Sequence, residues 1–156
     1  MMNNHLGSFL ILALLPCVVM GQQPDASPSG SDSVSLVKMP YLGSRNVAEL
    51  SPSPDYLAQG GVESVISELG FTVENIDTVE LTPEEQKQYG VWQRLALANF
   101  HLGEIVASRI RQGSLPIGLL ANCSSLMGML AGLQHSGPTN RPLRVGLVWK
   151  IGRAHV

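Results

Sequence analysis

Charge is scarce in this chain and cysteine scarcer, and each shortage removes a class of function. Only 14% of the residues are charged, against 44% hydrophobic, which fits neither a disordered segment nor a charge-laced coiled coil. Ten basic residues face twelve acidic ones, spread evenly, so no basic stripe exists to follow a phosphate backbone, and a nucleic-acid partner is not expected. There is no serine elbow, no phosphate-binding loop and no zinc-spaced pair of cysteines. The apolar run from Leu6 to Met20 is shorter than the roughly 20 residues that a membrane helix needs.

That run fits a secretory signal peptide. "MMNNHLGSFLILALLPCVVMGQQ" has a polar start, an apolar middle, and Val19 and Gly21 at the −3 and −1 positions of a cut after Gly21. Its start lacks Lys and Arg and has only His5 and the α-amino group. A lipoprotein reading of Cys17 is opposed by Pro16, which stands where a small residue is expected. The expectation is therefore an exported protein, secreted or periplasmic, with residues 1–21 as its leader. Losing the leader removes Cys17, so Cys123 has no partner for an intramolecular disulfide. Residues 22–33, rich in Pro, Ser and Gly, read as a flexible linker.

From Val34 the chain alternates in kind. "VSLVKMPYL" predicts a strand. Ser53 as cap and Pro54 in the first turn then open a helix with Leu57, Val62, Val65, Ile66 and Leu69 on one face, ended by Gly70. Gly60-Gly61 weakens its first half, so it should be best formed from about Val62 onward. "FTVENIDTVEL" reads as a partly polar strand. Thr82, Pro83 and Glu85 form a capping-box signature for a helix running towards Gly113, with a short leading turn split off at Gly90. Leu95, Ala98, Leu102, Ile105, Val106 and Ile110 mark its buried side, and Arg109 and Arg111 suit the negative end of its dipole. "LPIGLLAN" predicts a buried strand and "SSLMGMLAGLQHS" a helix whose Gly128 and Gly132 bring it close to the sheet. "LRVGLVW" predicts a last buried strand. Strand and helix alternating with short connections imply an α/β fold, a three-layer α/β/α arrangement around a parallel sheet. Ligands of such sheets sit beyond the carboxyl ends of the strands, here residues 119–125 and those after Trp149. His101, in mid-helix, and His135, in a last turn, read as ordinary surface and cap residues.

"LPIGLLANCSSLMGMLAGL" followed by "PLRVGLVW" resembles the arginase, agmatinase and formiminoglutamase family of ureohydrolases. "SPSPDYLAQGGVESVISELGFTV" is similar to an early helix and strand of that family, so the resemblance covers Val34 to Trp149. It implies an arginase-like fold of about twice this length. The implied activity is hydrolysis of C–N bonds in small guanidino or formimino substrates, by water activated between two manganese ions. The family's Gly-Gly-Asp-His-Ser falls on Leu120, Ala121, Asn122, Cys123 and Ser124, so the position of its first metal-binding histidine is Cys123. A thiolate is soft and leans towards zinc, whereas manganese prefers carboxylate and imidazole. Two readings of Cys123 stay open, a substituted metal ligand and a small buried thiol at a strand end. Asn122-Cys123-Ser124 is also a formal glycosylation sequon, discounted for its place at a buried strand end.

The family's second motif, Asp-Ala-His-x-Asp after a Val-Trp and an apolar residue, has no match after Trp149. Arg153 falls where its histidine belongs, and His155 lies two residues further on. Residues 150–156 read instead as a non-native tail: Ile151–Val156 and a stop translate a common sequencing-library adapter, and the shared codon must end in AG, as a codon for Lys150 can. The expected domain plan is a leader at 1–21, a linker at 22–33, the N-terminal half of an arginase-like domain at 34–149, and that tail. The fragment itself is expected to be inactive and to bind no manganese pair. The alternatives are a catalytically silent secreted binding protein and a relative of the metal-dependent deacetylases, which share the broad architecture.

Overall fold

Strand β1, Ser33–Met39, lies in the middle of the sheet, and its sequence accounts for that place. A strand covered on both faces reads as a near-continuous apolar run, and in "SVSLVKM" every residue but Lys38 is buried. The computed structural model describes residues 32–42, 52–138 and 142–147. Its elements all lie within the compact unit Ser27–Val145.

Alternate residues of β1 serve opposite faces, as the pleat requires. Val34 and Leu36 pack with Ile66, while Val37 and Met39 pack with Val79, Leu81, Ala98, Leu102 and Val106. The first group belongs to the crossover through α1 (Ser53–Leu57) and α2 (Glu63–Glu68) to strand β2, Thr72–Thr78. The second belongs to the crossover through α3 (Pro83–Gln86) and α4 (Val91–Arg111) to strand β3, Leu115–Leu120. All pairings are parallel, in the order β2-β1-β3. The crossovers lead to opposite sides of β1 and pack on its opposite faces, the arrangement that right-handed connections favour. The α/β class is as the sequence implies, and both faces of β1 are covered, but β3, read as a buried strand, buries only Leu119. Among the described residues no helix is long and apolar enough to cross a membrane.

The first crossover departs from expectation in its cap and its apolar face, while its weak first half is as the Gly60-Gly61 pair implies. Its cap is Pro52, without a side-chain bond, and Ser53 is already helical. Gly61, at φ 92°, breaks the helix over Ala58–Val62, so that α2 begins at Glu63. The expected apolar face is also only partly used. Ile66 is buried and Val62 partly so, but Leu57, Val65 and Leu69 are about half exposed.

The second crossover follows its signals closely. Thr82 Oγ1 accepts the Glu85 N–H at 3.3 Å, and Glu85 Oε2 accepts the Thr82 N–H at 2.8 Å, closing the capping box. Gly90, at φ 106°, separates α3 from α4, a conformation that a Cβ would oppose. Leu95, Ala98, Leu102 and Val106 are buried, while Ile105 and Ile110 pack at the rim of the same cluster. At the amino ends of the strands, Ser35 Oγ and Ser114 Oγ lie 2.7 Å apart and Ser33 Oγ donates to Ser114 Oγ at 3.2 Å. These buried hydroxyls satisfy one another.

The last helix, α5 (Leu126–His135), packs on α4, which corrects the expectation that its glycines approach the sheet. A Cβ on Gly128 would stand 2.7 Å from Asn99 O, and one on Gly132 would stand 2.6 Å from Val106 Cβ. The close approach is helix to helix. The further strand expected at 143–149 is not formed over its described part, 143–147, and 148–149 lie outside the described residues. Leu143 donates its N–H to Gln134 O at 3.0 Å, tying this stretch to the end of α5 in place of a ladder bond.

Strand β3 pairs with β1 alone among the described residues. Ala121 N–H donates to Met39 O at 3.0 Å, so odd residues of β3 turn their backbone groups to β1 and Pro116, Gly118 and Leu120 turn theirs outward. Proline thus occupies a position where its missing N–H costs the ladder nothing.

Candidate functional site

The carboxyl end of β3 is where a parallel sheet presents chemistry. There the chain passes through Ala121 and Asn122 into a tight 3-10 turn, Cys123–Ser125, and on into α5. Asn122 shapes the turn. Its backbone is extended, and its Oδ1 accepts the Ser125 N–H at 3.1 Å, the Ser125 hydroxyl at 3.2 Å and the Ser124 hydroxyl. This is the work of an N-cap side chain. Asn122 Nδ2 is buried and finds no acceptor among the described residues. A glycan would have to be attached to that nitrogen, which agrees with setting the sequon aside.

Cys123 is exposed. The small-buried-thiol reading is therefore corrected: the turn that brings the Asn122 carboxamide inward carries the next side chain out. The thiol stands at the mouth of the carboxyl-end loop.

The start of α5 draws on a second asparagine. Ser125, its N-cap by position, makes no side-chain cap bond to the helix, since its hydroxyl is turned to Asn122. Asn99 of α4 accepts the Gly128 N–H on Oδ1 at 2.8 Å, while its Nδ2 donates to Leu95 O, also at 2.8 Å. The sequence reading missed Asn99. The signal was present: an amide on the buried stripe between Leu95 and Leu102 must find partners in the interior.

The remaining candidates are accounted for locally. His101 Nε2 lies 2.9 Å from Glu85 Oε1 and 3.0 Å from Oε2, joining the middle of α4 to α3. The Thr82 backbone N–H holds the Glu85 carboxyl below its usual range; burial opposes this, and His101 adds to the lowering. Arg109 and Asp77 form a two-bond pair, both bonds 2.7 Å long, which raises the arginine further. Lys38, near the carboxyl end of β1, donates to Asp55 Oδ1 at 2.7 Å. His135 lies in the last turn of α5, and its carbonyl accepts from Arg111. The second expected loop, after Trp149, and His155 lie outside the described residues.

A pair of manganese ions requires several hard oxygen and imidazole donors converging on one space. Among the described residues no three of His, Cys, Asp and Glu gather in this way. At the carboxyl end of β3 the donors are one thiol and one carboxamide whose oxygen already caps a helix. These residues alone do not fit such a centre.

No family model and no curated protein matches the sequence. Among solved structures, the crystal structure of arginase from Bacillus subtilis is similar, with a TM-score of 0.51 and 22% sequence identity over 64% of this chain and 33% of that one. The chain thus spans about a third of the arginase's length. The likeness shows the fold: this is an arginase-like α/β arrangement.

Proposed function

We propose that the chain is the N-terminal part of an exported, arginase-like hydrolase that cleaves C–N bonds in small guanidino or formimino substrates. The observation carrying the proposal is the course of Leu120–Ser124. In an arginase-like fold, this segment leaves the carboxyl end of a parallel strand and turns at once into a helix, with one side chain, Cys123, exposed at the loop. That is where a hydrolase of this architecture places groups that face a substrate. Two manganese ions are the metals proposed for the whole protein, and the missing hard donors are proposed to follow Trp149. Residues 1–21 are proposed as the export signal, and 150–156 as foreign sequence.

Sequencing the transcript beyond the Trp149 codon tests the proposal. The expected reading is an apolar residue, most simply Ile, then Asp-x-His-x-Asp. The extended chain should then take up manganese and release urea or formamide from a guanidino or formimino substrate. Genomic DNA that encodes Lys-Ile-Gly-Arg-Ala-His-Val and a stop would refute the adapter argument. A long native extension without acidic residues near Trp149 would favour a binding protein that keeps the fold without catalysis, a reading that Cys123 supports by standing where the resembled family has histidine.

A further inference from the structure

We infer that Asn99 is the positioning residue of the Cys123 loop: a side chain of the preceding crossover helix caps the helix that follows the loop, and so fixes where the loop lies. The inference rests on reading that loop as the site. The first turn of any helix has N–H groups without partners within the helix, and a side chain before the helix normally serves them. Here Asn122 bonds the Ser125 N–H, but Gly128, the third residue of α5, lies beyond its reach in the bonds it makes. The Gly128 N–H is bonded by Asn99, from another helix. Asn99 is buried, and its amide is held against Leu95 O, which leaves Oδ1 aimed at α5. Gly128 makes the approach possible, because a Cβ there would stand 2.9 Å from that Oδ1. The loop is thus bracketed, with Asn122 gathering it from its start and Asn99 holding the turn that follows it.

The test compares Asn99→Leu, which fills similar volume without an acceptor, with Asn99→Asp, which keeps an oxygen opposite the Gly128 N–H and gives up only the donor to Leu95 O. Two quantities are read on the full chain: hydrogen exchange of the Gly128 amide, and hydrogen exchange of the Ser125 amide, which Asn122 holds within the loop. Asn99→Leu should speed both by about tenfold, as expected for one buried hydrogen bond lost, and Asn99→Asp by a smaller factor, since the acceptor for the Gly128 N–H is kept. The inference is overturned if Asn99→Leu changes neither rate, or if both variants speed them equally, as general loosening of α4 would do. Should Asn99→Leu unfold, the unaltered chain decides: its Gly128 amide must exchange at least about tenfold more slowly than an unstructured amide, and an unprotected one overturns the assignment. Neither readout needs metal. An extended chain that takes up no manganese would sink the functional proposal and leave this assignment standing.

Discussion

Replacing Gly132 with alanine should destabilise the fold through the α4–α5 seam, although alanine is the better helix former. The added Cβ would stand 2.6 Å from Val106 Cβ and 2.7 Å from Gly103 O and Val106 Cγ1. Ordinary contacts between carbon atoms lie at about 3.5–4.0 Å, so the helices must part by about 1 Å or distort. One obstacle is a backbone carbonyl inside α4, which cannot rotate away as a side-chain tip could. The penalty should therefore fall near the top of the usual overpacking range, about 3 kcal/mol. Better helix propensity returns about 1 kcal/mol, leaving a net loss of about 2 kcal/mol. Gly60 is the matched control. It has no positive φ and nothing within 4 Å of a built Cβ, so Gly60→Ala should gain about 0.5–1 kcal/mol. Urea unfolding followed by circular dichroism reads both. With a slope of about 2 kcal/mol per molar urea, the Gly132→Ala midpoint should fall by about 1 M and the Gly60→Ala midpoint should rise. A Gly132→Ala chain as stable as the parent would show that the seam is looser than the contacts imply.

Because Glu85 titrates below its usual value of 4.5 when folded, its contribution is complete above that value and fades as pH falls through the lowered one. Amides around Thr82–Gln88 should accordingly lose protection from exchange as the pH drops below about 4.5, and Glu85→Gln should abolish that pH dependence. Asp77→Asn, which breaks the two-bond pair with Arg109, should cost about 1 kcal/mol, and the difference from the parent should shrink in high salt. The chain as it stands, dialysed against manganese and then against buffer, should retain no stoichiometric pair of ions; two ions per chain by elemental analysis would contradict the ligand argument.

Most of the fold was legible because its signals are local. The capping box at Thr82–Glu85 and the break at Gly90 appear as read, since both depend on residues within one turn of each other. The apolar stripe of α4 is long enough for its period to show. Short elements were harder. In the first crossover the apolar face predicted burial that only Ile66 achieves, since α2 is six residues long and sets a single side chain fully into the core. The glycines of α5 announced a close neighbour but not which one, because a missing Cβ says the same thing to a sheet and to a helix. Cys123 could be located from the order of elements. Its exposure could not, because it follows from three bonds converging on Asn122 Oδ1. Asn99 shows the limit from the other side: its polarity was visible, but its partner lies 29 residues away.

Pro116 gives the outer edge of β3 a direction. Along that edge Pro116, Gly118 and Leu120 all offer carbonyls, but only Gly118 and Leu120 offer N–H groups. An incoming strand is therefore fastened more firmly at one end than at the other, like a zip whose first teeth are missing. The secure end is the carboxyl end, one short turn from Cys123. A strand joining there would have its least freedom to fray beside the exposed thiol, and its greatest freedom at the opposite end of the sheet.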